Sequence, residues 1–179
     1  REAINDFDQA IRLDSTDGLS YHMRAKAYVI LDQHREAIQD YDQVIRLEPT
    51  NDTAYFSQAS AYFDLGMYQQ AIEGYSQFIR LDPTDEKAYY WRGQSYHLLK
   101  NYQQAVQDYN QAIRMGHTNA LAYHNRGATY YYLGQYQNAL QDFNEAIRLE
   151  PNGARYQWRG NTHQKLGRLD LARPDWDRA

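Results

Sequence analysis

Apolar and small residues recur along this chain with a fixed step of 34 positions. Tyr21, Tyr55, Tyr89 and Tyr123 keep it, and so do Ala3, Ala37, Ala71, Ala105 and Ala139. Ile11, Ile45, Ile79, Ile113 and Ile147 keep it too, each followed by an arginine: Arg12, Arg46, Arg80, Arg114 and Arg148. Inside one unit the spacing is helical. Tyr123, Gly127 and Tyr130 fall on one face of a first helix, and Ala139, Phe143, Ala146 and Ile147 on one face of a second. Gly66, Gly134 and Gly167 separate the two helices of a unit, and Pro49, Pro83 and Pro151 follow the second, where proline stops it. Asn51, Asp52, Asp85 and Asn119 stand where the next helix has unpaired N–H groups to cap. Each unit is thus predicted to be a helical hairpin. Helices of about 13 residues are marginal alone, so their stability has to come from packing on neighbours.

The pattern resembles the tetratricopeptide repeat. The fourth unit carries the signature most fully, in Tyr123, Gly127, Tyr130, Gly134, Tyr136, Ala139, Phe143, Ala146 and Pro151. The resemblance covers essentially the whole chain and implies an all-α, right-handed superhelical solenoid of antiparallel helix pairs. Full units are expected at 18–51, 52–85, 86–119 and 120–152. Residues 1–17 read as the second helix of a truncated repeat, and 153–179 as a partial repeat cut inside its second helix, a two-sided truncation of one solenoid domain. Met115-Gly116-His117 departs from the pattern, and Tyr156 follows Tyr123 one residue early, so the last unit is expected to be tilted. Pro174 is expected to fray the final helix.

Composition narrows the function. The 179 residues carry a net charge of -4 and no cysteine. Disulfides, zinc–thiolate sites and thiol nucleophiles are therefore excluded. The charge offers no electrostatic footprint for nucleic acid, and no apolar run approaches the roughly 18 residues that a membrane span needs. Phosphate-binding loops, dinucleotide fingerprints, zinc-protease and calcium-loop motifs are absent, and the six histidines are scattered. His163 takes the position of Tyr28, Tyr62, Tyr96 and Tyr130 and reads as a packed residue. No enzyme, cofactor or metal is expected.

Four units place an arginine just before the small residue of the first helix: Arg24, Arg92, Arg126 and Arg159. Sixteen positions later stand Asp40, Asp108, Asp142 and Asp175. In the second unit both members change together, to Gln58 and Gly74. This paired change predicts structural ion pairs tying the two helices of a hairpin. The ladder from Arg12 to Arg148 sits in the last turn of each second helix, where a cation suits the helix dipole.

The resemblance implies that first helices line a concave groove. Its exposed positions would hold His22, Met23, Lys26, Val29 and Ile30, then Phe56, Ser57, Ser60, Phe63 and Asp64. Lys87, Tyr90, Trp91, Gln94, His97 and Leu98 follow, then His124, Asn125, Tyr131 and Tyr132, then Gln157, Trp158, Asn161 and Lys165. Exposed rings of this kind mark binding surfaces. Phe56, Phe63, Lys87, Tyr90, Trp91, Gln94, His124, Asn125, Tyr131, Tyr132, Trp158 and Asn161 are the candidate peptide-binding residues, with Trp91 the foremost anchor. At the positions where chaperone-tail binders of the family carry a two-carboxylate clamp stand Phe56, Ser60, Trp91, Leu121 and Asn125, so an acidic C-terminal tail is not the expected ligand. The expectation is a protein-interaction scaffold of bacterial type, binding a peptide or helical segment with apolar or aromatic side chains. The alternative is a spacer, or a module self-associating end to end through Ile4, Phe7 and Ile11. A base-reading RNA-binding repeat is disfavoured by the acidity and the period.

Overall fold

The computed structural model describes residues 2–179 and contains, among them, eleven helices and no strand. They are α1 (Glu2–Leu13), α2 (Gly18–Ile30), α3 (His34–Leu47), α4 (Asp52–Asp64), α5 (Tyr68–Leu81), α6 (Glu86–Leu98), α7 (Tyr102–Arg114), α8 (Ala120–Tyr132), α9 (Tyr136–Leu149), α10 (Gly153–Lys165) and α11 (Leu169–Trp176). The chain divides into two compact units, an N-terminal one ending at Ala88 and a C-terminal one beginning at Tyr89. In each, consecutive helices pack as pairs and pairs stack on pairs: α1 through α5 in the first, α7 through α11 in the second.

Local signals divide the work between the helices. Asp17, Asn51, Asn119 and Asn152 cap α2, α4, α8 and α10 through side-chain oxygens that accept the N–H of Ser20, Ala54, Ala122 and Arg155. Asp85 does the same for α6 at the N–H of Ala88, 3.1 Å away. Asp52 is not a cap: it is the first residue of α4, and its carboxylate accepts from Thr53. The second helices α3, α5, α7, α9 and α11 have no side-chain cap and depend on packing. The turn before each of them needs a left-handed residue. Gly66, Gly134 and Gly167 supply it at φ of 73°, 73° and 74°, whereas Asp32 and Lys100 adopt it at 59° and 61° against the preference of L residues.

Tyr41, Tyr75, Tyr109 and Phe143, on α3, α5, α7 and α9, are fully buried. Each ring withdraws enough apolar surface from water to contribute roughly 1.5–3 kcal/mol. First helices approach them through small residues. A Cβ on Gly127 would stand 3.0 Å from the Phe143 ring, and one on Gly74 would stand 2.8 Å from Ala59. In the second repeat Ala59 stands at the position of Gly127 on the first helix, and Gly74 at that of Asp142 on the second.

Arg24, Arg126 and Arg159 each bridge three helices rather than two. Arg126 grips Asp142 bidentately at 2.8 and 2.6 Å, and its remaining nitrogen donates to Asn110 on α7 at 2.8 Å. Arg159 repeats the motif with Asp175 and, on α9, Asn144. Arg24 does so with Asp40 and, on α1, Asp8. Arg92 holds Asp108 at 2.8 and 2.7 Å. Tyr21, Tyr89, Tyr123 and Tyr156 lie 5.5–5.6 Å from these guanidinium groups. Burial pushes the Asp108 and Asp142 carboxyls up, against the pull of their arginines. In the second repeat Gln58 substitutes a neutral bridge, donating to Asp42 at 2.6 Å.

Pro174 does not end the last helix: α11 runs to Trp176. Asp175, 3% exposed, is held by Arg159, and the Trp176 indole donates to Asn161 at 3.0 Å. Tertiary contacts thus tie down the turn that the proline weakens.

Candidate functional site

The candidate residues divide between the units and behave differently in each. In the N-terminal unit, α2 and α4 flank an open slot of about 290 Å³ lined by Lys26, Val29, Ile30, Tyr41, Phe56, Ser57, Ser60, Ala61 and Asp64. Its wall is mainly apolar, with one cation and one anion among the lining residues. Ile30 is 82% exposed. Phe56 is half-buried and set edge-on against Tyr75 and Phe78 at 5.4 and 5.3 Å, which fixes the ring. The Ser60 hydroxyl is engaged with the Phe56 carbonyl and the Tyr75 hydroxyl. Ser57 lines the slot at the position where α6, α8 and α10 carry Trp91, Asn125 and Trp158. Phe63 packs on Tyr68 at 5.4 Å, and Lys87 is exposed.

In the C-terminal unit the rings fill one another's space. Tyr90 corrects the sequence expectation: it is 3% exposed, a core residue beside Tyr109, and its hydroxyl accepts from Asn125 at 2.8 Å. Burial pushes that hydroxyl up to about 12. An aromatic residue at a nominally exposed position was drawn inward because Tyr109, His117 and Asn125 offer it contacts from three sides. Trp91 is half-buried, edge-on to Tyr90 at 5.4 Å and packed against the same core. Gln94 is half-buried with its Oε1 enclosed and without a hydrogen-bond donor. Asn161 accepts from Trp176.

Tyr131, Tyr132 and His124 surround Trp158 at 5.4, 5.9 and 6.2 Å. Tyr132 stacks on Tyr102 at 5.2 Å with the rings 7° from parallel, and His97 meets both edges while bonding Thr129 at 2.8 Å. Burial and the nearby Arg155 push His124 down to about 4, so it is neutral at pH 7. Only Tyr132 stays largely open, at 52%, beside a recess of about 520 Å³ that it shares with His97, Leu98, Lys100 and Tyr102.

The acceptors that complete the arginine bridges, and Ser57 as a residue lining the slot, were missed by sequence reasoning. The first had a signal, since Asp8, Asn110 and Asn144 lie on the 34-residue step, together with Asp42, the acceptor of Gln58. The second is a small residue among large ones, legible only once packing is known.

A family profile described as Tetratricopeptide repeat matches residues 86–119 and 120–152, and one described as TPR repeat matches 25–66 and 59–100. The chain belongs to the tetratricopeptide-repeat family. Repeats of this family are generally protein-interaction modules. No curated protein matches the chain. Among solved structures it is similar to a crystal structure of MamA protein, at 25% identity and a TM-score of 0.87, covering 90% of this chain and 88% of that one. It is also similar to YrrB, described as a TPR protein with an unusual peptide-binding site, at 20% identity and a TM-score of 0.85 over 96% and 89%. The C-terminal part of a TPR repeat-containing protein from Cytophaga hutchinsonii matches at 23% identity and 0.85, over 99% of this chain and 71% of that one. At 20% and 23% identity the last two likenesses establish the fold alone. No helix among the described residues is long and apolar enough to cross a membrane.

Proposed function

We propose that this tetratricopeptide-repeat chain is a non-catalytic scaffold holding a segment of another protein through apolar or aromatic side chains. The observation that carries the reading is the slot between α2 and α4: a preformed, mainly apolar opening whose fixed ring, Phe56, can cover an inserted side chain. Preformed apolar recesses with a few polar groups at the margin are where binding energy concentrates. The similarity to YrrB, whose description includes a peptide-binding site, supports the same class of function. In the C-terminal unit the open face of Tyr132 and the exposed side of Trp158 offer secondary contact area.

Filling the slot tests the reading. Ser57→Trp installs the side chain that the third and fifth repeats already carry there, so the fold should tolerate it. Peptides selected from a displayed random library against the full chain should lose at least about tenfold in affinity for this variant. Melting temperature serves as the control. Peptides that bind Ser57→Trp as tightly as the parent chain would remove the slot from the site. Trp91→Ala should mainly lower stability, because its ring supports the Tyr90 core.

A further inference from the structure

The net charge of -4 conceals a large asymmetry. Residues 1–88 contain 8 Lys and Arg against 16 Asp and Glu, whereas residues 89–179 contain 11 against 7. The N-terminal unit therefore stands at -8 and the C-terminal unit at +4. Part of the acidic excess collects beside the slot. Phe56, which lines the slot, also lines a second recess of about 350 Å³ with Phe78, Asp52, Asp82, Asp85 and Lys87. Thr53 belongs to that recess and to a third opening that includes Glu48. Across the three openings, Glu48, Asp52, Asp64, Asp82 and Asp85 outnumber the ammonium groups of Lys26 and Lys87.

Four of these carboxylates are held by neutral donors. Asp82 accepts the N–H and hydroxyl of Thr84, which keeps its carboxyl below the usual range. Asp85 accepts the N–H groups of Lys87 and Ala88, Asp52 that of Thr53, and Glu48 the amide of Asn51. Among the described residues none of these four makes an ion pair. Only Lys87 stands among the three carboxylates of the second recess, so their charge is in excess in an opening that shares Phe56 with the apolar slot. A guanidinium or ammonium group suits that combination, since it gains both from the carboxylates and from the half-buried Phe56 ring. A metal ion does not: no group of three suitable ligands converges among the described residues. Phosphate backbones and acidic tails are repelled.

We propose that the partner segment places an apolar side chain in the slot between α2 and α4 and an arginine or lysine in the acidic recess on the other side of Phe56. The inference rests on the scaffold reading above and specifies its ligand as a basic, apolar segment. Specificity then comes from the acidic recess, and adhesion from the slot.

Three synthetic peptides decide it: one sequence with a central leucine flanked by arginines, by glutamines or by glutamates, titrated onto the full chain by fluorescence anisotropy. Affinity should fall in that order, by about two- to fivefold for each charge exchanged. The spread should shrink at high salt. It should shrink likewise in Asp52→Asn/Asp82→Asn, which keeps the acceptor oxygens used by Thr53 and Thr84, and Ser57→Trp should weaken all three peptides. Equal binding of the three, or a spread untouched by the double variant, overturns the inference and leaves the scaffold reading standing. If none of the three binds and library selection also yields nothing, both fall.

Discussion

The two units share one repeat and differ in what their first helices do with it. In the N-terminal unit α2 and α4 carry small or aliphatic residues around one ring, and an opening remains. In the C-terminal unit α6, α8 and α10 carry many rings, and most of them close on each other: Trp158 against Tyr131, Tyr132 and His124, Tyr102 against Tyr132, Tyr90 into the core. A high aromatic content at groove positions is therefore no measure of an available surface. Rings attract rings, because edge and stacked contacts add to the burial each already enjoys. The slot lies where Ser57, Ser60 and Ala61 stand beside Phe56. The bridges differ by repeat and not by unit. Arg24 in the N-terminal unit and Arg126 and Arg159 in the C-terminal unit join three helices by charged bonds, while the second repeat makes its link with a neutral glutamine.

The bridges offer the largest effect. Asp142→Ala strands the Arg126 guanidinium among buried groups and should cost about 3–5 kcal/mol, measured by chemical denaturation. The double variant Arg126→Met/Asp142→Leu should recover much of that loss, because no uncompensated charge remains. Gln58→Leu in the N-terminal unit should cost about 1 kcal/mol or less, since the Asp42 it releases is exposed and returns to water. Equal costs for Asp142→Ala and Gln58→Leu would erase the distinction between charged and neutral bridges.

Acid should act next. The native His124 sits near 4 and the unfolded one near 6.5, so between those values the unfolded chain holds a proton that the folded chain refuses. Stability present above pH 6.5 is then lost progressively down to about pH 4, by about 2 kcal/mol after allowance for partial solvent exposure. Burial also pushes His97 down in the same unit. Trp91, Trp158 and Trp176 all lie beyond residue 88, so their fluorescence follows the C-terminal unit alone. His124→Phe should flatten the pH dependence of its transition; an unchanged slope would remove His124 as the cause.

The smallest effect tests sameness. Asn51→Ala and Asn119→Ala each delete a cap of one design and should each cost about 1 kcal/mol by thermal or denaturant unfolding. A marked inequality would mean that the first helices of the two units do not depend equally on their caps.

Much of the architecture could be read from the chain before its folding was seen. A 34-residue step in Tyr, Ala and Ile fixes two amphipathic helices per unit, and the paired change at Gln58 and Gly74 exposes a dependence between positions sixteen apart. The third arms of the Arg24, Arg126 and Arg159 bridges, Asp8, Asn110 and Asn144, and the acceptor of Gln58, Asp42, were also on the step, but pairing within a hairpin gave no reason to look one repeat back. The site was less legible. Tyr90 and Trp91 look alike as exposed rings in a repeat alignment, yet one is core and the other half-buried.

Periodicity and capping are local properties, set by which residue follows which, so the sequence by itself determined the helices, their pairing and the family. Whether a given ring faces solvent depends on what stands across from it on the next first helix. That meeting is made only when repeats pack, and it decided that Ser57 lines an opening, that Tyr90 is buried and that Asp175 holds the last turn in place.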